Sequence, residues 1–241
     1  MSGIFAIYNV DEGSYTLTTA GYTAIIILLL VLLIAGSSIR GFLGKKRENS
    51  VRKLVFSAIA VALATVAGII PMFKMPMGGH ITLCSLFIIA LIGYWYGLGT
   101  GLTCAIAYGL VQLTLDPYII SLPQLFCDYI FAFGALGLSG LFSSRRVQSP
   151  APGYIVAVLG RYFFAVMSGV IFFAAYAPSE GILSNPWLYS LTYNIIYIGA
   201  EAVITLVIIN IPAVRTALNA VSNIATGGEY KRYVKADEIT E

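Results

Sequence analysis

Seven long apolar runs dominate this 241-residue chain, and they restrict its fold more than any other feature. A membrane-spanning helix needs about 20 predominantly apolar residues, and residues 24–34 contain no polar side chain at all. The segment before them is acidic and has no basic signal-peptide start, so we expect an uncleaved helix. The apolar runs lie at 17–39, 54–73, 81–96, 98–115, 121–142, 153–175 and 188–211.

These runs predict an all-α integral membrane protein with a six-helix core and one extra N-terminal transmembrane helix. Only 10% of the residues are charged, and the long charged interruption at 40–53 separates the first run from the others. We predict the extra helix and its basic linker over 1–52, the six-helix core over 53–212 and a cytoplasmic tail over 213–241. The polar composition of 226–241 favours weak structure there.

The basic residues predict the orientation of the chain in the membrane. Twelve of the fourteen fall after the first, fifth or last run, which places them on one side. Cytoplasmic loops are enriched in lysine and arginine, so we expect the N-terminus outside, the C-terminus inside and the loop at 74–80 outside. The net charge of +3 then reflects topology, not nucleic-acid binding. The twelve are Arg40, Lys45, Lys46, Arg47, Arg52, Lys53, Arg145, Arg146, Arg215, Lys231, Arg232 and Lys235.

Signatures of enzymes and metal sites are not found in the sequence. The segment 41–45 lacks the spacing of a phosphate loop, and the single histidine excludes the HExxH motif. The three cysteines, Cys84, Cys104 and Cys127, form no CxxC pair and are interpreted as small core residues. We therefore expect no catalysis, no metal and no cofactor.

Three ionisable residues fall inside the runs, where charges are costly and usually functional. Asp128 shares a helix face with Gln124, and Tyr129 is adjacent, which suits a counter-ion for a cationic ligand; a cap or pair within the bundle is the alternative. Arg161 and Glu201 are predicted to form an internal ion pair, with proton coupling through Glu201 as the alternative.

Aromatic residues of the last run add to the same hypothesis. Tyr189, Tyr193 and Tyr197 recur every four residues and share one helix face, while Asn194 lies too deep for an interfacial role. An aromatic face beside a carboxylate holds organic cations through cation–π attraction of about 0.5–2 kcal/mol per ring.

Two further segments have candidate roles. The glycine- and proline-broken loop at 74–85 is predicted to be a lid over a binding site; its proposed lid residues are Lys74, Pro76, Gly78 and Gly79. Within it, His80 is either a ligand contact or a solvated lid residue. The surface of the first core helix repeats small residues that allow close helix approach, either within the bundle or against a partner subunit; these residues are Ala58, Ala60, Ala62 and Ala64.

Taken in order, these segments resemble the thiamine-specific substrate-binding (S) components of energy-coupling factor (ECF) transporters, the ThiT/YuaJ group. The resemblance covers about residues 53–212. Its motifs are 74–83 with Ser85, Tyr96-Gly97 with Gly101, Gln124, Asp128-Tyr129, Arg161-Tyr162, 169–173, Tyr176-Ala177, and 185–191 with Asn194.

The resemblance implies a six-helix S component that binds thiamine from outside and closes its first outer loop over it. It also implies transport by toppling against a transmembrane T subunit driven by two ATP-binding subunits, with the alanine-rich helix as the docking surface. Asp128 and Tyr129 occupy the place of the family's Glu-Tyr pair, and Tyr189 and Asn194 match its Tyr and Asn.

Two positions depart from the family pattern. Ala165 stands where the family often has a histidine, and Phe173 stands where it has a tryptophan. Phe173 can still stack on an aromatic ring, whereas Ala165 removes a polar contact. Thiamine is thus the leading ligand, with a related pyrimidine or another vitamin as alternatives. A solitary proton-coupled secondary transporter and a structural membrane protein are the other classes that the sequence leaves open.

Overall fold

The computed structural model describes residues 4–9, 14–24, 27, 48–75, 79–144 and 148–228. Residues 19–24 are helical, and most of the remaining run predicted at 17–39 lies outside the described residues. Pro76 and Gly78 of the predicted lid and residues 229–241 of the predicted tail also lie outside them.

Seven main helices and two short hairpins make up the described part of the chain. The first hairpin pairs β1 (Ala6–Asn9) with β2 (Ser14–Leu17), and the second pairs β3 (Phe73–Lys74) with β4 (His80–Ile81). The helices are α1 (Glu48–Ile69), α2 (Ser85–Tyr96), α3 (Leu98–Leu115), α4 (Leu122–Phe142), α5 (Ala151–Phe172), α6 (Pro186–Asn210) and α7 (Pro212–Thr226).

The predicted class, a helical multi-pass membrane protein, is confirmed. Among the described residues five helices are long and apolar enough to cross a bilayer, namely α1, α3, α4, α5 and α6. Helix α2 is apolar but has 12 residues, and at 1.5 Å per residue it extends about 18 Å, less than the bilayer core of about 30 Å.

Helix α2 forms the centre of the bundle. Ile89 and Ile92 are fully buried, and α2 packs against α1, α3, α4 and α5. The close crossing of α2, α3 and α4 depends on glycine: a Cβ atom on Gly101 would lie 2.7 Å from Cα of Gly93 and 2.9 Å from the carbonyl oxygen of Gly137. Any larger residue there would separate the three helices.

Two of the spanning helices contain π-helical turns. These turns cover Phe126–Phe131 in α4 and Ile195–Gly199 in α6, and α4 ends in a 3₁₀ segment, Ala135–Phe142. A π turn rotates the side chains that follow it relative to a regular helix, and such turns are frequent at functional sites. Here they carry Asp128 and Tyr197, both of which line the main cavity.

The alanine-rich face of α1 is divided between the bundle and its surface. Ala60 and Ala64 are 5% and 0% exposed, and the Tyr108 hydroxyl donates to the Ala64 carbonyl oxygen at 3.3 Å. Ala58 and Ala62 are exposed. Ala60 and Ala64 therefore pack inside the bundle and are inaccessible to a partner subunit. Of the four predicted docking residues, only Ala58 and Ala62 are accessible.

Helix α7 lies beyond the predicted core boundary at 212 but packs against the bundle. Leu218 contacts the main core, and the Trp95 indole N–H donates to Ser222 Oγ at 2.8 Å. Part of the segment predicted as a tail is thus an ordered helix attached to α2.

Candidate ligand-binding site

A cavity of about 440 Å³ lies between helices α3 to α6 and the β3–β4 hairpin. Its size falls in the range of about 300–1,000 Å³ that is usual for small-molecule sites. All eight residues predicted to bind ligand line it, together with Lys74 and Gly79 of the predicted lid. The eight are His80, Gln124, Asp128, Tyr129, Phe173, Tyr189, Tyr193 and Asn194.

Asp128 is held in place by Gln124. The Gln124 side-chain amide donates to Asp128 Oδ2 at 2.6 Å and to the Tyr118 carbonyl oxygen at 3.1 Å. Its own oxygen accepts from the Ile120 N–H at 3.1 Å, and the side chain is 1% exposed. Gln124 is therefore fixed in one orientation and presents the Asp128 carboxylate to the cavity.

Tyr129 holds the loop between α3 and α4 in place beside the cavity. Its hydroxyl donates to the Asp116 carbonyl oxygen at 3.0 Å and accepts from the Tyr118 N–H at 2.9 Å. This contact positions Tyr118, whose ring stacks on Phe173 with centroids 5.9 Å apart and planes 22° apart. Tyr118 is not predicted by the sequence, because a loop residue after Asp116-Pro117 has no periodicity that indicates where its side chain points.

The three tyrosines of α6 form the ladder that their spacing predicts. Ring centroids are 6.1 Å apart between Tyr189 and Tyr193 and 5.7 Å apart between Tyr193 and Tyr197. Asn194 is 4% exposed; it accepts from the Tyr197 hydroxyl at 2.9 Å and donates to the Ala165 carbonyl oxygen at 3.3 Å. Asn194 thus joins α6 to α5 at Ala165, one of the two positions that depart from the family pattern.

The β3–β4 hairpin reaches the cavity and contacts α6 there. The Gly79 N–H donates to the Tyr193 hydroxyl at 3.0 Å, and within the hairpin the Met75 N–H donates to the Gly79 carbonyl oxygen at 2.7 Å. A Cβ atom at position 79 would lie 2.7 Å from Tyr193 Oη and 3.1 Å from a carbon of the Tyr197 ring. Only glycine allows this approach.

Replacing Gly79 with alanine should push the hairpin away from Tyr193 and raise the ligand dissociation rate several-fold. Stopped-flow fluorescence measures this rate directly. The matched background is Tyr193→Phe, which removes the hydroxyl against which the new Cβ would clash. A double-mutant cycle should therefore show a smaller effect of Gly79→Ala in that background; equal effects in both backgrounds would contradict the contact.

His80 lies beside Asp116 at the cavity mouth. Its Nε2 is 3.7 Å from Asp116 Oδ2, and the two side chains are 25% and 67% exposed. Burial is the largest influence and lowers the His80 pKa below its ordinary value of 6.5; the Asp116 carboxylate opposes this shift, and Lys74 adds to it. The observed position of the hairpin therefore favours neutral His80.

Ligand dissociation should accordingly become faster as the pH falls. The pKa of His80 is lower in the observed position of the hairpin than in solvent. The contribution of His80 to the stability of this position is therefore fully present above about pH 6.5 and is lost as the pH falls through the lowered pKa. Stopped-flow dissociation rates across this range provide the measurement. A His80→Gln variant should lose this part of the pH dependence, and an unchanged profile would assign it to other groups.

The predicted ion pair between Arg161 and Glu201 is wrong. No oxygen of Glu201 lies within 4.0 Å of an Arg161 nitrogen. Arg161 instead lies over the Phe133 ring with Cζ 3.9 Å from its centroid, and its Nε and Nη1 atoms are buried without a hydrogen-bond partner among the described residues. Because Arg161 lines the cavity, it is a donor available to ligand, a role that the sequence did not predict.

Glu201 accepts hydrogen bonds from residues at the start of α2 and just before it. Its Oε2 accepts from the Thr82 hydroxyl at 2.7 Å and the Thr82 N–H at 3.1 Å. Its Oε1 accepts from the Ser85 hydroxyl at 3.2 Å and the Leu86 N–H at 3.1 Å. A carboxylate at the start of a helix also interacts favourably with the helix dipole. Glu201 therefore joins α6 to the segment that connects the hairpin to α2.

Similarity to known proteins agrees with this architecture. A family model described as "Thiamine transporter protein (Thia_YuaJ)" matches residues 54–220. The thiamine transporter ThiT of Bacillus subtilis (strain 168) is 33% identical over 168 residues, which cover 64% of this chain and 84% of that protein. The thiamine transporter ThiT of Lacticaseibacillus paracasei is 31% identical over 100 residues, covering 35% and 46% respectively.

A solved structure of ThiT from Listeria monocytogenes has the same fold. It superimposes with a TM-score of 0.52 at 22% identity, and the match covers 75% of this chain and 96% of that one. Since the family model spans well over half of the sequence, the chain belongs to the thiamine transporter family Thia_YuaJ.

Proposed function

We propose that this protein is the membrane-embedded substrate-binding component of a thiamine uptake system. The observation that carries the proposal is the cavity in which a fixed carboxylate, Asp128, lies among aromatic rings. Thiamine contains a thiazolium cation and an aminopyrimidine ring. The carboxylate balances the cation, and the rings of Tyr118, Phe173 and the α6 tyrosines offer stacking and cation–π surfaces.

A buried guanidinium fits the polar atoms of such a ligand. Arg161 Nε and Nη1 have no hydrogen-bond partner among the residues that the structure describes, and Arg161 lines the cavity. A buried donor without a partner costs about 1–3 kcal/mol. Acceptors such as the pyrimidine nitrogens or the hydroxyl oxygen of thiamine would remove that cost.

The departures at Ala165 and Phe173 alter the pocket without closing it. Phe173 keeps an aromatic face stacked with Tyr118, and Ala165 uses its carbonyl oxygen to orient Asn194. A related pyrimidine or another vitamin remains the alternative ligand within the same class of binding component.

The proposed uptake route places the cavity mouth and the β3–β4 hairpin outside the cell, with the N-terminus outside and the C-terminus in the cytoplasm. The positions of the basic residues support this orientation. Three segments are proposed. Residues 1–52 form the extra helix and its linker, 53–212 form the binding core, and 213–241 form a cytoplasmic segment that contains most of α7.

We further propose that a T subunit and two ATP-binding subunits drive uptake, because no nucleotide-binding motif occurs in this sequence. Ala58 and Ala62 on α1 are candidates for the docking contact. Support comes from the exposure of α1. Only 11% of its most apolar stretch is buried, which is the lowest share among the five spanning helices.

Titration of the purified protein with thiamine, followed by intrinsic fluorescence, tests the binding role. Saturable change at nanomolar to low micromolar thiamine supports it, whereas no response with thiamine and saturation with another pyrimidine or vitamin would reassign the ligand. Reconstitution into vesicles then separates the transport classes. Uptake that needs the ATPase module supports the proposal, and uptake by the protein alone that an uncoupler abolishes would identify a solitary proton-coupled transporter.

A further inference from the structure

Helix α7 crosses one end of the bundle and contacts the ends of three other helices. It begins directly after α6, where Ile211 is extended (φ −63°, ψ 128°) and Pro212 starts the new helix. Near its other end, the Tyr96 hydroxyl at the end of α2 donates to the Ala225 carbonyl oxygen at 2.9 Å. Gly227, which ends α7, lies against the Arg52 guanidinium near the start of α1.

These contacts fix the direction of α7 relative to the membrane. The end of α6, the end of α2 and the start of α1 lie at the same end of the bundle. A helix of 15 residues, about 22 Å long, that joins all three lies across that end instead of running back along the spanning helices.

The side chains of α7 fall into three sectors at 100° per residue. One sector packs on the bundle through Val214, Leu218, Ser222 and Ala225. A second is apolar and exposed; it consists of Ala213, Ala217, Ala220, Val221 and Ile224, the last two being 40% and 66% exposed. The third is polar; Arg215, Thr216 and Asn219 in it are exposed, whereas Asn223 and Thr226 are partly buried.

We propose that α7 lies flat in the headgroup region of the adjacent leaflet, with its exposed apolar sector against the acyl chains and its polar sector toward water. Such a three-way division is typical of helices that lie in the membrane interface.

Two observations favour lipid as the occupant of the exposed sector. First, the sector follows directly in the chain on exposed apolar residues: Val203 and Val207 of the spanning helix α6 are 62% and 64% exposed, and Ile211 between the two helices is 45% exposed. Second, Arg52 and Lys53 lie at this end of the bundle, where basic side chains interact favourably with anionic headgroups.

Site-directed spin labelling of the full chain in vesicles of phosphatidylcholine and phosphatidylglycerol tests this placement. Single cysteines would replace Ala217 and Val221 in the apolar sector, and Thr216 and Asn219 in the polar sector as matched controls. The parent has Cys84, Cys104 and Cys127 replaced by alanine. Should that parent fail to fold, the four positions are labelled in the native background and its own signal is subtracted.

Collisional accessibility to oxygen, which partitions into lipid, and to a water-soluble nickel chelate gives the readout. The proposal expects labels at 217 and 221 to favour oxygen and labels at 216 and 219 to favour the chelate. Chelate access at all four positions would overturn it by placing the apolar sector in water. Shielding of 217 and 221 from both reagents would also overturn it and would indicate a second copy of the chain or another protein as the occupant.

Discussion

Replacing Asp128 with asparagine is expected to weaken thiamine binding at least about tenfold, which corresponds to about 1.4 kcal/mol. The geometry around Gln124 makes this effect larger than the loss of one charge. Gln124 cannot reverse its amide, because its oxygen accepts from the Ile120 N–H and its nitrogen donates to the Tyr118 carbonyl oxygen. Asparagine at 128 would therefore turn its oxygen toward Gln124 and its amide nitrogen toward the cavity.

The measurement is a fluorescence titration of both proteins with thiamine and with an analogue in which a neutral ring replaces the thiazolium. The analogue should bind the two proteins with similar affinity, since it carries no cation for Asp128 to balance. The control variant is Asp116→Asn at the exposed mouth, where solvent screening limits the effect to less than about fivefold. Equal thiamine affinity for wild type and Asp128→Asn would remove Asp128 from the role of counter-ion.

Local periodicity was sufficient to predict much of this site. The four-residue spacing of Tyr189, Tyr193 and Tyr197 predicts one aromatic face, and the structure has those rings in sequence along the cavity. The spacing of Gln124 and Asp128 likewise predicts the hydrogen bond that is observed between them. Residues one helical turn apart meet whatever the rest of the fold does.

Contacts between distant segments could not be predicted in the same way. Arg161 and Glu201 fall in neighbouring spans, and their opposite charges favour a pair, but Glu201 meets Thr82 and Leu86 across the bundle instead. The partners of Glu201 depend on the path of the chain from the hairpin into α2, which local spacing does not indicate. Ala60 and Ala64 show the same limit, since small residues allow close packing without indicating which helix will approach.

Replacing Glu201 with alanine is expected to destabilise the protein by roughly 3–5 kcal/mol, because it removes four hydrogen bonds from one buried cluster. Two of the donors are backbone N–H groups: that of Thr82, in the segment before α2, and that of Leu86, in the first turn of α2. With Glu201 2% exposed, little water can replace the lost acceptors, so these donors would stay unpaired.

Thermal melting of the detergent-solubilised protein should show the loss as a fall of the order of 10 °C in Tm. The Tm of Glu201→Gln should fall less than that of Glu201→Ala. The remaining oxygen of the glutamine still accepts from two of the four donors, although its amide nitrogen cannot accept from the other two. Glu180→Ala, in an exposed loop, is the control and should melt like wild type. If Glu201→Ala also melts like wild type, the carboxylate does not stabilise the start of α2. If it melts early and thiamine still raises its Tm, the variant folds into a state that binds thiamine and the loss is one of stability alone, since a ligand that binds only the folded state raises Tm.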